Sequence, residues 1–355
     1  MDIKQSINSV EKCIEEKKYA EAEAILKEII KEYPNDGAIL YNSGVVATGL
    51  NQLEEAEKFF VDAIDKEYKV YQSIISLAMI EGVKGNQNAV IELLRKAIEL
   101  ENEVFIASGL LFEEYMEMNQ FDKAEQVALD IINKKNDIYL GHHNYVLVLV
   151  RKEDVLSAKK HMVEIEDIFK ENPEYIFDYI SLLYHNKEYS EAMEYLLDKE
   201  CYLNNESKLV VNIKARLASK IHDLDKAIES FQTLSKKYGY EFATFNLALL
   251  LMAKGKLEEA RSELNRIILE NNKNFNYYSA LVIRAGLINK LEKDEDKVIE
   301  EYQNAIKEFE EKYNEDSAYG FLMEYAAYCY LFLGNKEKHT YCKELAESYY
   351  QNIQK

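Results

Sequence analysis

The side chains here with chemistry to offer are six histidines, four cysteines and a recurring asparagine. His142 and His143 are adjacent in "YLGHHNYVLVLV"; on a helix they point in different directions and cannot easily share a metal. His143 and His185 are expected to face one side near Phe177 and Tyr184, but a third ligand for a metal or an acid–base site is missing. Cys13, Cys201, Cys329 and Cys342 are scattered with no C-x-x-C pair, so neither a disulfide framework nor a zinc site is indicated. Asp294 and Asp296 in "KDEDKVIEEY" lack the glycine and ligand spacing of a calcium loop. There is no phosphate-binding glycine loop, no dinucleotide fingerprint and no H-E-x-x-H. The expectation is a chain that is not an enzyme and uses no cofactor and no metal.

The composition says which elements carry these residues. Of 355 residues only 2 are proline and 12 glycine, too few for a sandwich, a barrel or a disordered linker. Lys, Glu, Leu, Ala and Ile dominate, mostly good helix formers. The formal net charge of −20 repels phosphate backbones, so nucleic acid is not an expected partner. Such a surface favours partners with basic segments, though it also serves simple solubility. No apolar stretch is long enough to span a bilayer, and the opening "MDIKQSINSVEKCIEEKKY" lacks a signal-peptide core. The expectation is a reduced, cytoplasmic protein with no membrane insertion.

The chain repeats itself. "NQLEEAEKFFVDAI" at residue 51, "GNQNAVIELLRKAI" at 85 and "NQFDKAEQVALDII" at 119 begin 34 residues apart. A small anchor residue recurs at Ala22, Ala56, Val90, Ala124, Ala158, Ala192, Ala227 and Ala260. Twelve residues upstream runs a second column: Val10, Gly44, Ala78, Phe112, Val146, Ile180, Ala215 and Ala248. One helical turn downstream runs a third: Leu26, Phe60, Leu94, Ala128, Met162, Leu196, Phe231 and Leu264. A small residue followed by a large one a turn later fits two antiparallel helices crossing closely at the small residue.

This pattern resembles the tetratricopeptide repeat family, whose period is 34 and whose second helix carries A-x3-F. The closest unit is "LYNSGVVATGLNQLEEAEKFFVDAI", with Gly44 at the family's glycine and Ala56-x3-Phe60 in the second helix. Leu40 stands where the family often has Trp and Ser43 where it has Leu. Pro34 sits at the closing proline in the first unit, where later units have Tyr68, Asn102 or Asn136. The resemblance implies an all-α superhelix of about ten helix-turn-helix repeats, right-handed, with first helices on the concave side. Residues 1–274 make eight units, and 275–355 make two divergent repeats with a capping helix in one continuous solenoid. In the divergent repeats Val298 takes the anchor role, Ala327 and Ala346 take packing roles, and His339 stands where alanine would be. Lys199 occupies a place that other second helices fill with an apolar residue, so a short or distorted helix is expected there.

The expected inner groove is formed by positions 2, 5, 9 and 12 of each first helix, which share one face. Position 5 reads Ile7, Tyr41, Ile75, Gly109, His143, Phe177, Asn212 and Phe245. Position 2 adds Leu140, Leu209 and Phe242, and position 12 adds Met116, Val150, Tyr184 and Met252. This column is largely apolar and aromatic, the mark of an interaction site unless neighbouring first helices bury it. At position 6, the resemblance implies that Asn42, Asn144 and Asn246 grip the backbone of a bound peptide; capping or solvent exposure is the plainer role. The opening triplet offers Ile7, Glu11, Asn42, Gln72 and Ser76 and does not match the family's clamp for a C-terminal carboxylate.

The function expected is a non-enzymatic adaptor that binds a protein or peptide, with basic residues, in the concave groove. A homo-oligomeric scaffold through Tyr319, Phe321, Tyr325, Tyr328, Tyr330 and Phe332 is the alternative. A peptide-sensing regulator is a further one, similar to bacterial pheromone receptors. The repeat register already runs from residue 3, so a regulator of that kind is expected to lack its own DNA-binding domain.

Overall fold

The computed structural model of the chain describes residues 3–100, 105–135, 137–291 and 294–353. Asn102 and Asn136, two of the repeat-closing positions, lie outside the described residues. Twenty α-helices and no strand occur among the residues described. They come in hairpins: α1 (Ile3–Glu15) with α2 (Tyr19–Glu32), α3 (Gly37–Gly49) with α4 (Leu53–Asp65), α5 (Val70–Val83) with α6 (Gln87–Leu100), and α7 (Ile106–Glu117) with α8 (Phe121–Lys134). Then follow α9 (Tyr139–Arg151) with α10 (Val155–Phe169), α11 (Pro173–His185) with α12 (Tyr189–Asp198), α13 (Lys208–Lys220) with α14 (Leu224–Tyr238), and α15 (Glu241–Ala253) with α16 (Leu257–Glu270). The last two hairpins are α17 (Phe275–Leu291) with α18 (Glu295–Glu315), and α19 (Leu322–Phe332) with α20 (Lys336–Ile353).

Several first turns are capped by side chains that accept their orphan amides. Asp36 accepts from Ala38 and Ile39, Ser207 from Val210, and Asp223 from Lys226. Asp294 caps α18 through Lys297 N at 3.1 Å, so the carboxylate in "KDEDKVIEEY" serves the helix start.

The three columns of the repeat are all buried, from Val10 to Leu264. Gly44 shows why the small positions are small: a Cβ there would lie 2.8 Å from the Phe60 ring. The described residues divide into two units, one up to Leu182 and one from Leu183, and each is taken by itself. In the first unit α1 touches α3 and α7 touches α9; in the second α15 touches α17 and α17 touches α19. No contact of that extent joins successive second helices. Within each unit the hairpins are therefore narrower on the first-helix side, which makes that side the inner one.

The hairpin turns share a feature that residue types hid. Lys17, Asn51, Gly85, Asn119, Glu153, Lys187, His222, Gly255 and Gly334 occupy the same place in their repeats and all have φ between 54° and 78°. This left-handed residue ends the first helix and aims the chain back along it. Only three of the nine are glycine, although the conformation strains any Cβ. Replacing exposed Glu153 with glycine is therefore expected to stabilise the protein by about 0.5–1 kcal/mol, read as a higher urea midpoint. An unchanged or lower midpoint would show that the glutamate is held there by contacts that offset the strain.

The irregular places fall where the pattern breaks. Helix α12 has 10 residues and gives way to a 3-10 turn at Glu200–Tyr202. Lys199 lies at that break with its side chain 13% exposed, its ammonium 3.0 Å from Asp198 and over the Tyr195 ring. A lysine cannot fill an apolar slot without desolvating its charge, so the helix stops instead. Helices α17 and α18 lengthen to 17 and 21 residues. Val298, Ala327 and Ala346 are buried as expected. His339 does not mimic alanine; its Nδ1 lies 2.9 Å from the Ala327 carbonyl oxygen. One turn on, Lys343 stands exposed where eight other repeats bury an apolar residue, and it pairs with Glu347 at 3.8 Å. That polar surface is what a capping helix presents.

Candidate functional site

The position-5 residues are alike in exposure. Ile7, Tyr41, Ile75, Gly109, His143, Phe177, Asn212 and Phe245 are all half-buried, while their neighbours at position 4 are buried in every described repeat from α3 to α15. The inner face is thus lined by side chains seated in the wall and open on one side.

In the first unit, Tyr41 sits edge-on to Phe60 at 5.8 Å, with the Lys69 ammonium 4.5 Å from its ring. Burial pushes its phenol pKa up. The adjacent histidines diverge as expected. His142 is buried on the α10 side, its Nδ1 3.0 Å from Nε2 of His161 and the rings stacked at 5.1 Å. His143 turns to the next repeat and donates from Nδ1 to Asp178 at 2.5 Å, while the Tyr139 hydroxyl donates to the same carboxylate oxygen at 2.7 Å. The hydrogen bond to Asp178 raises the His143 pKa. Burial, then the neighbouring His142, lowers that of His161 to about 4. Among the described residues no three His, Cys, Asp or Glu side chains are grouped to hold a metal ion.

The asparagine reading needs correction at two places. Asn42 is 3% and Asn144 is 4% exposed, so neither offers its amide to a ligand on this face. Position 6 is exposed or half-buried in the other six repeats, so the burial of these two belongs to their own neighbours and not to the register. The Asn144 Nδ2 has no hydrogen-bond partner, and Asn246 spends its amide on the Phe242 carbonyl at 2.7 Å. Nothing in residue type distinguishes these from reachable asparagines.

In the second unit, Phe242 is exposed, and Phe245 and Met252 are half-buried against the core. Tyr184 packs on Tyr189 at 5.1 Å. A groove of about 560 Å³ opens beside Met252, walled by Val282, Tyr302, Tyr325, Tyr328 and Phe332, with Glu324 and Lys290 also in its lining. Tyr302 underlies Phe332 at 4.4 Å. Apart from Met252, these residues were not expected to line a groove; the extra length of the segment around Val298 was the available signal. A larger cleft of about 1040 Å³ runs along α18 beside α19 and α20, with Glu310, Tyr330 and Lys338 in its wall. There the Tyr330 hydroxyl donates to Glu310 at 2.6 Å and accepts from Lys338 at 3.0 Å.

Of the six aromatics considered for self-association, four are committed inward. Tyr330 is buried, Tyr325 bonds Ser279 at 2.9 Å, and Tyr319 and Phe321 pack against the same cluster, Phe321 edge-on to Tyr325. Tyr328 and Phe332 remain exposed at 54% and 44%.

An all-α stack of antiparallel hairpins, with a semi-exposed apolar inner face, defines a helical-repeat protein of the kind that serves protein–protein interaction. Two segments, residues 14–76 in the first unit and 214–274 in the second, match family models described as tetratricopeptide repeat, so the chain carries repeats of that family in both units. No curated protein matches the sequence. Among solved structures, the chain is similar to one in a structure of Naa15/Naa10 bound to HypK-THB, at 14% identity and a TM-score of 0.41, covering 97% of this chain and 63% of that one. It therefore spans less than two thirds of that protein's length. A tetratricopeptide repeat protein from Parabacteroides merdae matches at 15% identity and a TM-score of 0.46, over 66% of this chain and 91% of that one. PilW, a type IV pilus biogenesis factor, matches at 14% and 0.46, over 60% and 99%. These are likenesses of fold alone.

Proposed function

We propose that the protein is a non-enzymatic adaptor, holding a protein or peptide segment against the inner face of its first helices. The observation that carries this reading is the position-5 column, partly open in eight repeats while position 4 beside it is buried in each. A purely structural stripe would be closed by its neighbours, and a purely solvated one would be charged. Tyr41, His143, Phe177, Tyr184, Phe242, Phe245, Asn246 and Met252 are the residues proposed to meet the ligand, joined by Tyr328 and Phe332 in the groove beside Met252. Asn42 and Asn144 join them only if ligand binding moves them out of the wall. The net charge of −20 favours partners with basic segments over long range. No described helix is long and apolar enough to cross a membrane; a cytoplasmic site of action is part of the proposal.

The test uses the second-unit groove. Tyr328→Ala with Phe332→Ala is expected to deplete at least one captured partner about tenfold in quantitative mass spectrometry, with unchanged circular dichroism. An identical partner set from the folded variant would remove the groove from the account. Self-association is the second reading, favoured by the exposure of Tyr328, Leu331 and Tyr341. A monomeric mass in light scattering at micromolar concentration would dispose of it.

A further inference from the structure

Helix α13 runs against the charge of the whole chain. It carries Lys208, Lys214, Arg216 and Lys220 and no aspartate or glutamate, while the chain has 64 acidic residues to 44 basic ones. Lys214 is neutralised by Glu200. The other three are exposed and have no carboxylate in ion-pair range among the described residues. Each is seated on a tyrosine instead: the Lys208 ammonium 4.3 Å from the centre of the Tyr240 ring, the Arg216 guanidinium 4.8 Å from Tyr184, and the Lys220 ammonium 5.7 Å from Tyr189. A ring face holds a cation in place without neutralising it, so these charges stay available to an anion.

The same face carries apolar surface. Leu209 is 53% exposed and lies two turns before Arg216, about 10 Å along the helix. Phe242 of α15 is 46% exposed and packs against Tyr240 at 5.9 Å. The surface thus has an apolar patch at Leu209 and Phe242, with Lys208 on Tyr240 at its edge, and a cationic end at Arg216 and Lys220.

We propose that this face of α13 binds an acidic segment of a partner protein, with carboxylates on Arg216 and Lys220 and an apolar side chain on Leu209 and Phe242. An extended chain covers 10 Å in about three residues, which sets the spacing between the apolar residue and the first carboxylate. The proposal rests on the adaptor reading above but gives this stretch of the inner face the opposite charge preference. The two coexist because the field of the whole chain is screened over about 10 Å at 0.1 M salt, whereas contact pairs are not. Arginine on an aromatic ring also presents its fork edge-on to a carboxylate, so the contact is directional as well as attractive.

The experiment is fluorescence anisotropy with the full chain at physiological salt. The first probe is a peptide blocked at both termini, carrying one phenylalanine and, beginning three residues on, three glutamates. The blocked terminus excludes capture of a C-terminal carboxylate. The second probe has three lysines in place of the glutamates, and the third is a labelled oligothymidine. The variant combines Arg216→Gln and Lys220→Gln, which keeps side-chain stems on the tyrosines; a thermal melt checks its fold. The glutamate peptide is expected to bind about tenfold more tightly than the lysine peptide, and the variant to lose about tenfold for the glutamate peptide alone. The proposal is overturned if the lysine peptide or the oligothymidine binds as tightly, if the folded variant binds undiminished, or if no probe binds at millimolar concentration. Because Tyr328 and Phe332 lie outside this face, failure here and failure of the groove reading show in different variants.

Discussion

Replacing Phe60 with alanine is expected to cost about 3–5 kcal/mol, the largest loss any single side chain discussed here should give. Phe60 is 1% exposed and fills the notch left by Gly44, with Tyr41 edge-on to its ring at 5.8 Å. Gly44→Ala alone is expected to cost about 1–3 kcal/mol, because the new Cβ would meet three ring atoms between 2.8 and 2.9 Å away and an aromatic ring cannot bend aside. The informative chain is the double variant. With the ring gone, the alanine at 44 has space, so the double variant should be more stable than the sum of the single losses by about 1–2 kcal/mol. Repeat stacks are coupled mainly through nearest neighbours, so the loss should appear first as faster hydrogen exchange in α3 and α4. Strict additivity would show that the two residues do not share the space assigned to them.

Acidification should destabilise the first unit through His161. Its pKa falls from the ordinary 6.5 to about 4 because burial, and then His142 at its side, disfavour the charged ring. A histidine held neutral in the folded state contributes stability that is complete above pH 6.5 and drains away as pH falls toward 4. The full contribution is at most about 3 kcal/mol. His143 acts in the other direction: its pKa is raised by Asp178, so its contribution is complete below pH 6.5 and is lost as pH rises through the elevated value. Below pH 6.5 the His161 loss therefore stands unopposed by His143. Urea midpoints of the native chain should drop between pH 6.5 and 4.5, and His161→Gln, which cannot charge, should flatten that drop. An equally steep decline in the variant would assign the acid sensitivity to other groups.

The repeat was legible because its cause is local. A notch such as Ala56 and a filler such as Phe60 are one helical turn apart, and their types follow from a helix-to-helix distance that recurs in every hairpin. All three columns drawn from that spacing are buried, and the break at Lys199 sits where the pattern fails. The left-handed turn residue was not legible: lysine, glutamate and histidine occupy a place that glycine suits better, because the closing geometry of the hairpin outweighs a strain of about 1 kcal/mol.

The sequence by itself determined the all-α class, the hairpin period and the buried columns. Tertiary structure alone decided that Asn42 and Asn144 are sealed in the wall, that His142 and His143 serve different neighbours, and that Arg216 lies on Tyr184, a residue from the hairpin before. The physical reason is range. Period and burial depend on side chains three and four residues apart, which a sequence displays; the reach of a face depends on how adjacent hairpins rotate as their volumes pack, which no single spacing records.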